Sequence, residues 1–279
     1  MTRRTVVKVA LVSLGVAALA AGVGAAAGAW GEDPQSPVAA ATVSWEGVLT
    51  APTAASTFAA PSADEPPAAE PTPVAPQPPA FDLARHPTGD PASPWVVVNK
   101  QHPVPAEYVP ADLVDVAPGV QLRADVAPDL TAMIDAAAPA GARLGILSGY
   151  RSYQDQAATR AAIEARRGFE HAERYSARPG FSEHQTGLAV DLGSGTQPGC
   201  DLQSCFAQTA EGAWLAEHAW EFGFVVRYTE ANTGVTGYAP EGWHLRWVGR
   251  DLAAYLHGAG VGSLEEAFGV PGGPVYAGG

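Results

Sequence analysis

The sequence predicts an α+β fold, a small and mostly antiparallel sheet with flanking helices, confined to residues 95–279. Three observations lead there. Hydrophobic residues make up 47% of the 279, enough to bury a core of one domain. Residues 31–94 show almost no apolar periodicity, so the core must be built from residues beyond 94. After Trp95-Val96-Val97-Val98 opens the folded part, strand and helix patterns succeed one another in mixed order.

Each element has its own signal. Leu130, Met133 and Ile134 recur at helical spacing within Asp125 to Ala140, and Gly141 follows as a stop. Leu144-Gly145-Ile146-Leu147 is a short apolar run of strand length. Gln154 to Arg167 returns to helix and ends at Gly168. From Gly187 to Leu192 the period is two: Leu188, Val190 and Leu192 face one side, Ala189 and Asp191 the other. Ala213 to Phe222 reads as helix, Phe224 to Tyr228 as strand, His244 to Val248 as strand and Asp251 to His257 as helix.

Ahead of this body lie two segments of different character. Residues 1–30 have the layout of an export signal: Arg3, Arg4 and Lys8 precede an Ala-, Val- and Gly-rich run that ends in Ala27-Gly28-Ala29. The paired arginines resemble a twin-arginine signal, with an ordinary Sec signal or an uncleaved N-terminal membrane anchor as the alternatives. Residues 31–94 are rich in Pro and Ala, and such chain cannot offset its ordering entropy, so a disordered linker is expected. An exported, extracellular or wall-associated monomer is the resulting expectation. With 29 acidic against 16 basic residues the net charge is −13, which excludes nucleic acid as a partner and leaves membrane contact to the N-terminal segment alone.

Chemistry concentrates in three stretches. His184, Asp191 and His244 are candidate metal ligands: two imidazoles and a carboxylate suit zinc, and three protein ligands leave a tetrahedral position open for water. Taken singly each has a plainer account, His184 as a surface residue and Asp191 as a strand end. Glu241 could serve as a base beside such a metal, or be an exposed loop glutamate. Residues three apart on a regular strand face opposite sides, so Glu241 and His244 can share one site only if Pro240 and Gly242 bend the chain. Cys200 and Cys205 read first as a disulfide in an exported protein, half a second metal site being the alternative. His86, His102, His171, His218 and His257 belong to no cluster and read as surface or packing residues.

Together the strings SGYRSYQDQ (148–156), SEHQTGLAVDL (182–192) and EGWHLRWVG (241–249) resemble the VanY-like D-alanyl-D-alanine carboxypeptidases, relatives of the D-Ala-D-Ala dipeptidases. Val98-Asn99-Lys100, Pro105, Tyr108-Val109-Pro110 and Leu113 are similar to that family's opening segment. The resemblance implies a Hedgehog/DD-peptidase-like zinc peptidase fold, one Zn2+ per chain on His184, Asp191 and His244, and Glu241 as catalytic base. It places the family's arginine on Arg151, where it would hold the scissile carbonyl oxygen. Gln156 and Ser182 fall on positions that line the family's substrate pocket, though Gln156 could be a surface residue and Ser182 a cap. Trp243 is expected to pack beside its neighbouring ligand. The implied reaction is removal of the C-terminal D-alanine from peptidoglycan stem peptides, with L,D-carboxypeptidase, dipeptidase or endopeptidase action on the same scaffold left open. A non-catalytic zinc-containing domain is disfavoured by Glu241 and Arg151, because binding alone needs no base.

Overall fold

A computed structural model describes residues 81–278. The expected signal at 1–30, and the expected linker up to residue 80, lie outside the described residues. Among the described residues, those of 81–94 already pack on the body that the sequence is expected to open at Trp95. His86 stacks on Phe81 (ring centroids 4.3 Å apart) and meets Trp95 at a tilt (4.0 Å), and the Val97 amide donates to Thr88 O at 2.9 Å. Phe81 and Leu83 pack on a cluster of Val97, Val248, Leu252 and Leu256. Aromatic burial here offsets the entropy of ordering a proline-containing stretch.

Thirteen elements follow. β1 (Leu113–Ala117) and β2 (Val120–Arg123) form an antiparallel hairpin. Next come α1 (Val126–Ala137), β3 (Leu144–Ser148), α2 (Tyr153–Arg167), α3 (Phe169–Tyr175), β4 (Ala189–Ser194) and α4 (Ala210–His218). The chain closes with β5 (Phe224–Tyr228), α5 (Thr233–Thr236), β6 (Glu241–Trp247), α6 (Arg250–Ala259) and α7 (Leu264–Phe268). Strands β3, β4, β6 and β5 make one sheet in that order, every pair antiparallel, so β4 and β6 are interior strands. This is the α+β fold that the sequence predicts.

Local chemistry explains where the elements start and stop. Ser152 caps α2 by accepting the Asp155 amide at 3.1 Å, and Thr209 caps α4 by accepting that of Gly212 at 3.0 Å. Gly168 does end α2, but at φ +86° it also turns the chain straight into α3, an element the sequence does not announce. The expected helices 125–140 and 213–222 are each shorter in α form, their last turns tightening to 3-10 geometry at 138–140 and 219–222. Leu188, just ahead of β4, and Val190 and Leu192 on it do enter the main core, with Leu122, Met133, Phe206 and Leu245. Asp191 points away from that core, as the two-residue period requires.

Candidate metal centre and cleft

The interior pair of strands sets the site. Asp191 on β4 and His244 on β6 are direct register partners, so the sheet itself brings their side chains together. Ser148 stands opposite Asp191 on the other side, through an irregularity in β3 at Leu147. His184 sits in a 3-10 turn, Glu183–Thr186, that leads into β4. Donor atoms of His184, Asp191 and His244 all lie within 4.8 Å of one another, and all three residues are buried.

Each imidazole is aimed by its second nitrogen. His184 Nδ1 donates to the Gly149 carbonyl at 2.7 Å, leaving Nε2 3.1 Å from Asp191 Oδ2. Gly149 is required there, because a Cβ would run into the Gln121 carbonyl oxygen. His244 Nε2 donates to Glu183 Oε2 at 3.1 Å, and its Nδ1 lies 3.0 Å from Asp191 Oδ1. Tyr228 stacks on the His244 ring with centroids 4.9 Å apart. Two nitrogens and a carboxylate converging on one point, each ring fixed by an outer hydrogen bond, are a donor set that fits zinc.

Behind His244 lies a sealed charge network. Glu183 Oε1 accepts from Arg227 Nε and Arg246 Nη1, both at 2.9 Å, and Arg227 Nη2 donates to Glu265 at 2.6 Å. Burial would raise the Glu183 carboxyl, but the two guanidiniums hold it far below the ordinary carboxylate range. Burial likewise disfavours a charged His244, yet its bonds to Asp191 and Glu183 prevail and raise it to about 9. His184 moves down, chiefly by desolvation.

Glu241 lines the same cleft but is not among the converging donors. Its approach depends on the bend anticipated at Gly242, which takes the form of a bulge: Val226 pairs with Leu245, but Tyr228 pairs with Glu241, so four steps on β6 face two on β5. Burial pushes the Glu241 carboxyl up to about 8, reinforced by Asp191 and opposed by His244 and Arg151.

Arg151 faces this centre with a fixed fork. Nη1 donates to Gln156 Oε1 at 2.7 Å, Nη2 donates to Ser148 Oγ at 3.4 Å and lies 3.8 Å from Asp191 Oδ2, and Ser148 Oγ donates to Asp191 at 2.5 Å. Gln156 is buried, not a surface residue, and its amide donates to Ala177 O at 2.7 Å. Its visible work is to hold Arg151. Ser182 is buried at the cleft wall and makes no side-chain cap bond. Trp243 packs into the main core beside His244.

The cleft encloses about 590 Å3. Cys200 and Cys205 are disulfide-bonded, and the loop between them supplies Leu202, Gln203 and Ser204 to the rim. Leu202 is held at φ +54°, a left-handed conformation uncommon outside glycine. His171 stacks on Tyr175 at 4.5 Å and also lines the cleft, a role the sequence does not reveal. Sequence reading also passes over Ser148, Glu183, Tyr228, Arg227, Arg246 and Glu265. The arginines do leave a signal, since charges inside apolar strands demand buried partners.

Residues 119–250 match the D-alanyl-D-alanine carboxypeptidase (VanY) family. A bifunctional D-Ala-D-Ala dipeptidase and D-Ala-D-Ala carboxypeptidase, VanXYC of Enterococcus gallinarum, is 31% identical over 159 residues, 55% of this chain and 82% of that protein. Against three other curated relatives, all carboxypeptidases by name, the chain spans 66%, 64% and 53% of their length. Among solved structures, the LdcB LD-carboxypeptidase aligns with TM-score 0.58 and 36% identity, over 65% of this chain and 88% of that one. The vancomycin-resistance D,D-pentapeptidase VanY, a point mutant in complex with Zn(II), aligns with TM-score 0.54 and 32% identity, over 63% and 98%.

Proposed function

The chain belongs to the VanY family of D-alanyl-D-alanine carboxypeptidases, and on that premise we propose that it is a zinc metallopeptidase removing the C-terminal D-alanine from peptidoglycan stem peptides. One observation carries the reading. A carboxylate, Glu241, and a fixed guanidinium, Arg151, line one cleft with the three-donor set without being part of it. Metal storage or structural metal binding would need neither.

One zinc ion, held by His184, Asp191 and His244, would supply a Lewis acid and a water of lowered pKa. The chain's own residues do the rest. Glu241 takes a proton as water adds to the scissile carbonyl carbon, and it returns a proton to the amine as the C–N bond breaks. Its upward-shifted carboxyl suits a group that must hold a proton between those two events. Arg151 directs N–H groups at the carbonyl oxygen as that oxygen gains charge, and Gln156 keeps the fork from swinging. Ser148, bonded to Asp191, fixes the third donor. Ser182, at the wall, is positioned to meet the substrate backbone.

We place this enzyme outside the cytoplasm, at the wall or beyond it, as a monomer. Arg3 and Arg4 ahead of an apolar run support export, and a disulfide is at home in an oxidising compartment.

Incubating the full chain with penta- and tetrapeptide stems, with and without chelator, and weighing the products tests the substrate. Loss of a single D-alanine from the pentapeptide, stopped by chelator and restored by zinc, is expected. Preference for the tetrapeptide would make it an L,D-carboxypeptidase, the activity named for the similar LdcB. Release of a dipeptide, or internal cleavage, would also overturn the assignment.

A further inference from the structure

The outer wall of the cleft carries a charge surplus that the chemistry above does not use. Five of the 16 basic residues fall between positions 160 and 178 of a chain whose net charge is −13. Three of these arginines are engaged within the wall. Arg160 and Arg178 both bind Glu173, and Arg174 lies over the Tyr175 ring. Arg166 and Arg167, at the end of α2, line the cleft together with His171. Among the described residues neither has a carboxylate within 4.0 Å. Arg166 bonds back to Ala162 O through Nε alone. The acids that line the cleft are Glu183, Asp191 and Glu241, all at the metal end, and Glu183 is already bonded by Arg227 and Arg246.

Distance decides which part of a substrate this wall can meet. Gln156, which holds Arg151 at the centre, and Arg166 are ten residues apart on one helix, about 15 Å along its axis. An extended peptide covers that in about four to five residues, and even the back-leaning arm of an arginine leaves a gap of about two residues or more. In a carboxypeptidase only one residue lies beyond the scissile bond, so a group this far out belongs to the upstream, non-leaving side.

We propose that Arg166, Arg167 and His171 form a subsite for a carboxylate carried by the substrate upstream of the scissile bond. The proposal rests on the carboxypeptidase reading and deepens it. Two guanidiniums match a carboxylate in charge and in fork geometry, and a carboxamide of the same shape supplies neither the charge nor a second acceptor. The enzyme therefore distinguishes stems with a free upstream carboxylate from stems in which that group is amidated.

Two synthetic pentapeptide stems, identical except for carboxylate or carboxamide at one upstream side group, give the test on the zinc-loaded full chain. The ratio of their kcat/KM values should favour the carboxylate about tenfold, the size two partly exposed charge pairs reach, and should fall with added salt. Arg166→Gln with Arg167→Gln should bring the ratio close to one. A ratio near one in the wild type, or one that survives the double substitution, overturns the proposal. In that case the arginines serve only the C-terminal end of the α2 dipole. If neither peptide is cut, the carboxypeptidase reading has failed, and fluorescence anisotropy of the labelled pair then reads the wall directly. Tighter binding of the carboxylate peptide that the double variant loses supports the subsite, and equal binding refutes it.

Discussion

Behind the inner end of the cleft Arg227 and Arg246 are sealed from solvent and share Glu183, with Glu265 closing the far side of Arg227. At the outer end Arg166 and Arg167 stand in water, without a carboxylate in reach among the described residues. The same residue type does opposite work. Inside, charge is cancelled so that a histidine ring is held at one angle; outside, charge is left over for something that arrives. The inner end should therefore respond to substitution through stability and metal affinity, and the cleft-facing groups through catalysis and substrate choice.

Glu241→Ala offers the largest effect. Product formation should fall about 10⁴-fold, the upper range for loss of a general base, while the metal stays bound. Rate and metal content measured on one preparation check both halves, and loss of the metal would move Glu241 into the donor set. Next in size, Arg151→Lys keeps a charge but not the fork that Gln156 holds, so kcat should drop about 10²-fold with little change in KM. Steady-state kinetics on a pentapeptide separate the two.

Glu183→Gln moves to the inner end. Zinc affinity should weaken about 10- to 100-fold, because His244 loses its charged outer partner. The fold should lose about 3 kcal/mol as well, since two buried guanidiniums are left short of a carboxylate. Competition with a chelating dye and urea unfolding read these separately. A variant that lost activity without either change would refute the positioning role.

Glu241→Gln should stabilise the metal-free chain, and the sign follows from the raised carboxyl. Its folded value of about 8 lies above that of the unfolded chain, so ionisation costs stability progressively as pH climbs from about 4.5 to about 8. The melting-temperature advantage of the glutamine variant should be small near pH 5 and should reach about 5 °C above pH 8. An advantage that shrank with rising pH would contradict the assignment. The smallest effect on activity is at the rim: Cys200→Ser with Cys205→Ser should shift KM more than kcat, at a cost of about 2 kcal/mol in stability by chain-entropy reasoning. Thermal melts and kinetics on the double variant check this.

The two ends also differ in how far the sequence reveals them. Asp191 and His244 are legible because a two-residue period and a short motif fix which way each side chain points, and register then makes them neighbours. The need for a bend between Glu241 and His244 is legible too, though not that a bulge in β6 supplies it. Hidden from sequence are contacts between distant elements: Glu265 reaching Arg227, or Gly149 presenting a carbonyl to His184. The β1–β2 hairpin is missed although Val114 and Val116, then Val120 and Leu122, alternate about Pro118-Gly119, because strands of five and four residues carry so short a pattern. α3 is missed because Gly168 reads as a stop, when its positive φ serves equally as a corner. The outer wall hides for another reason: arginines at a helix end have an ordinary explanation in the helix dipole, and only the cleft gives them a second.

Stepwise zinc titration of the metal-free full chain, with released D-alanine counted at each addition, tests the central claim most directly. Activity should rise in proportion to zinc and level off at one equivalent per chain. Release of D-alanine that is indifferent to zinc, or a plateau that demands two equivalents, would contradict a single centre built from His184, Asp191 and His244.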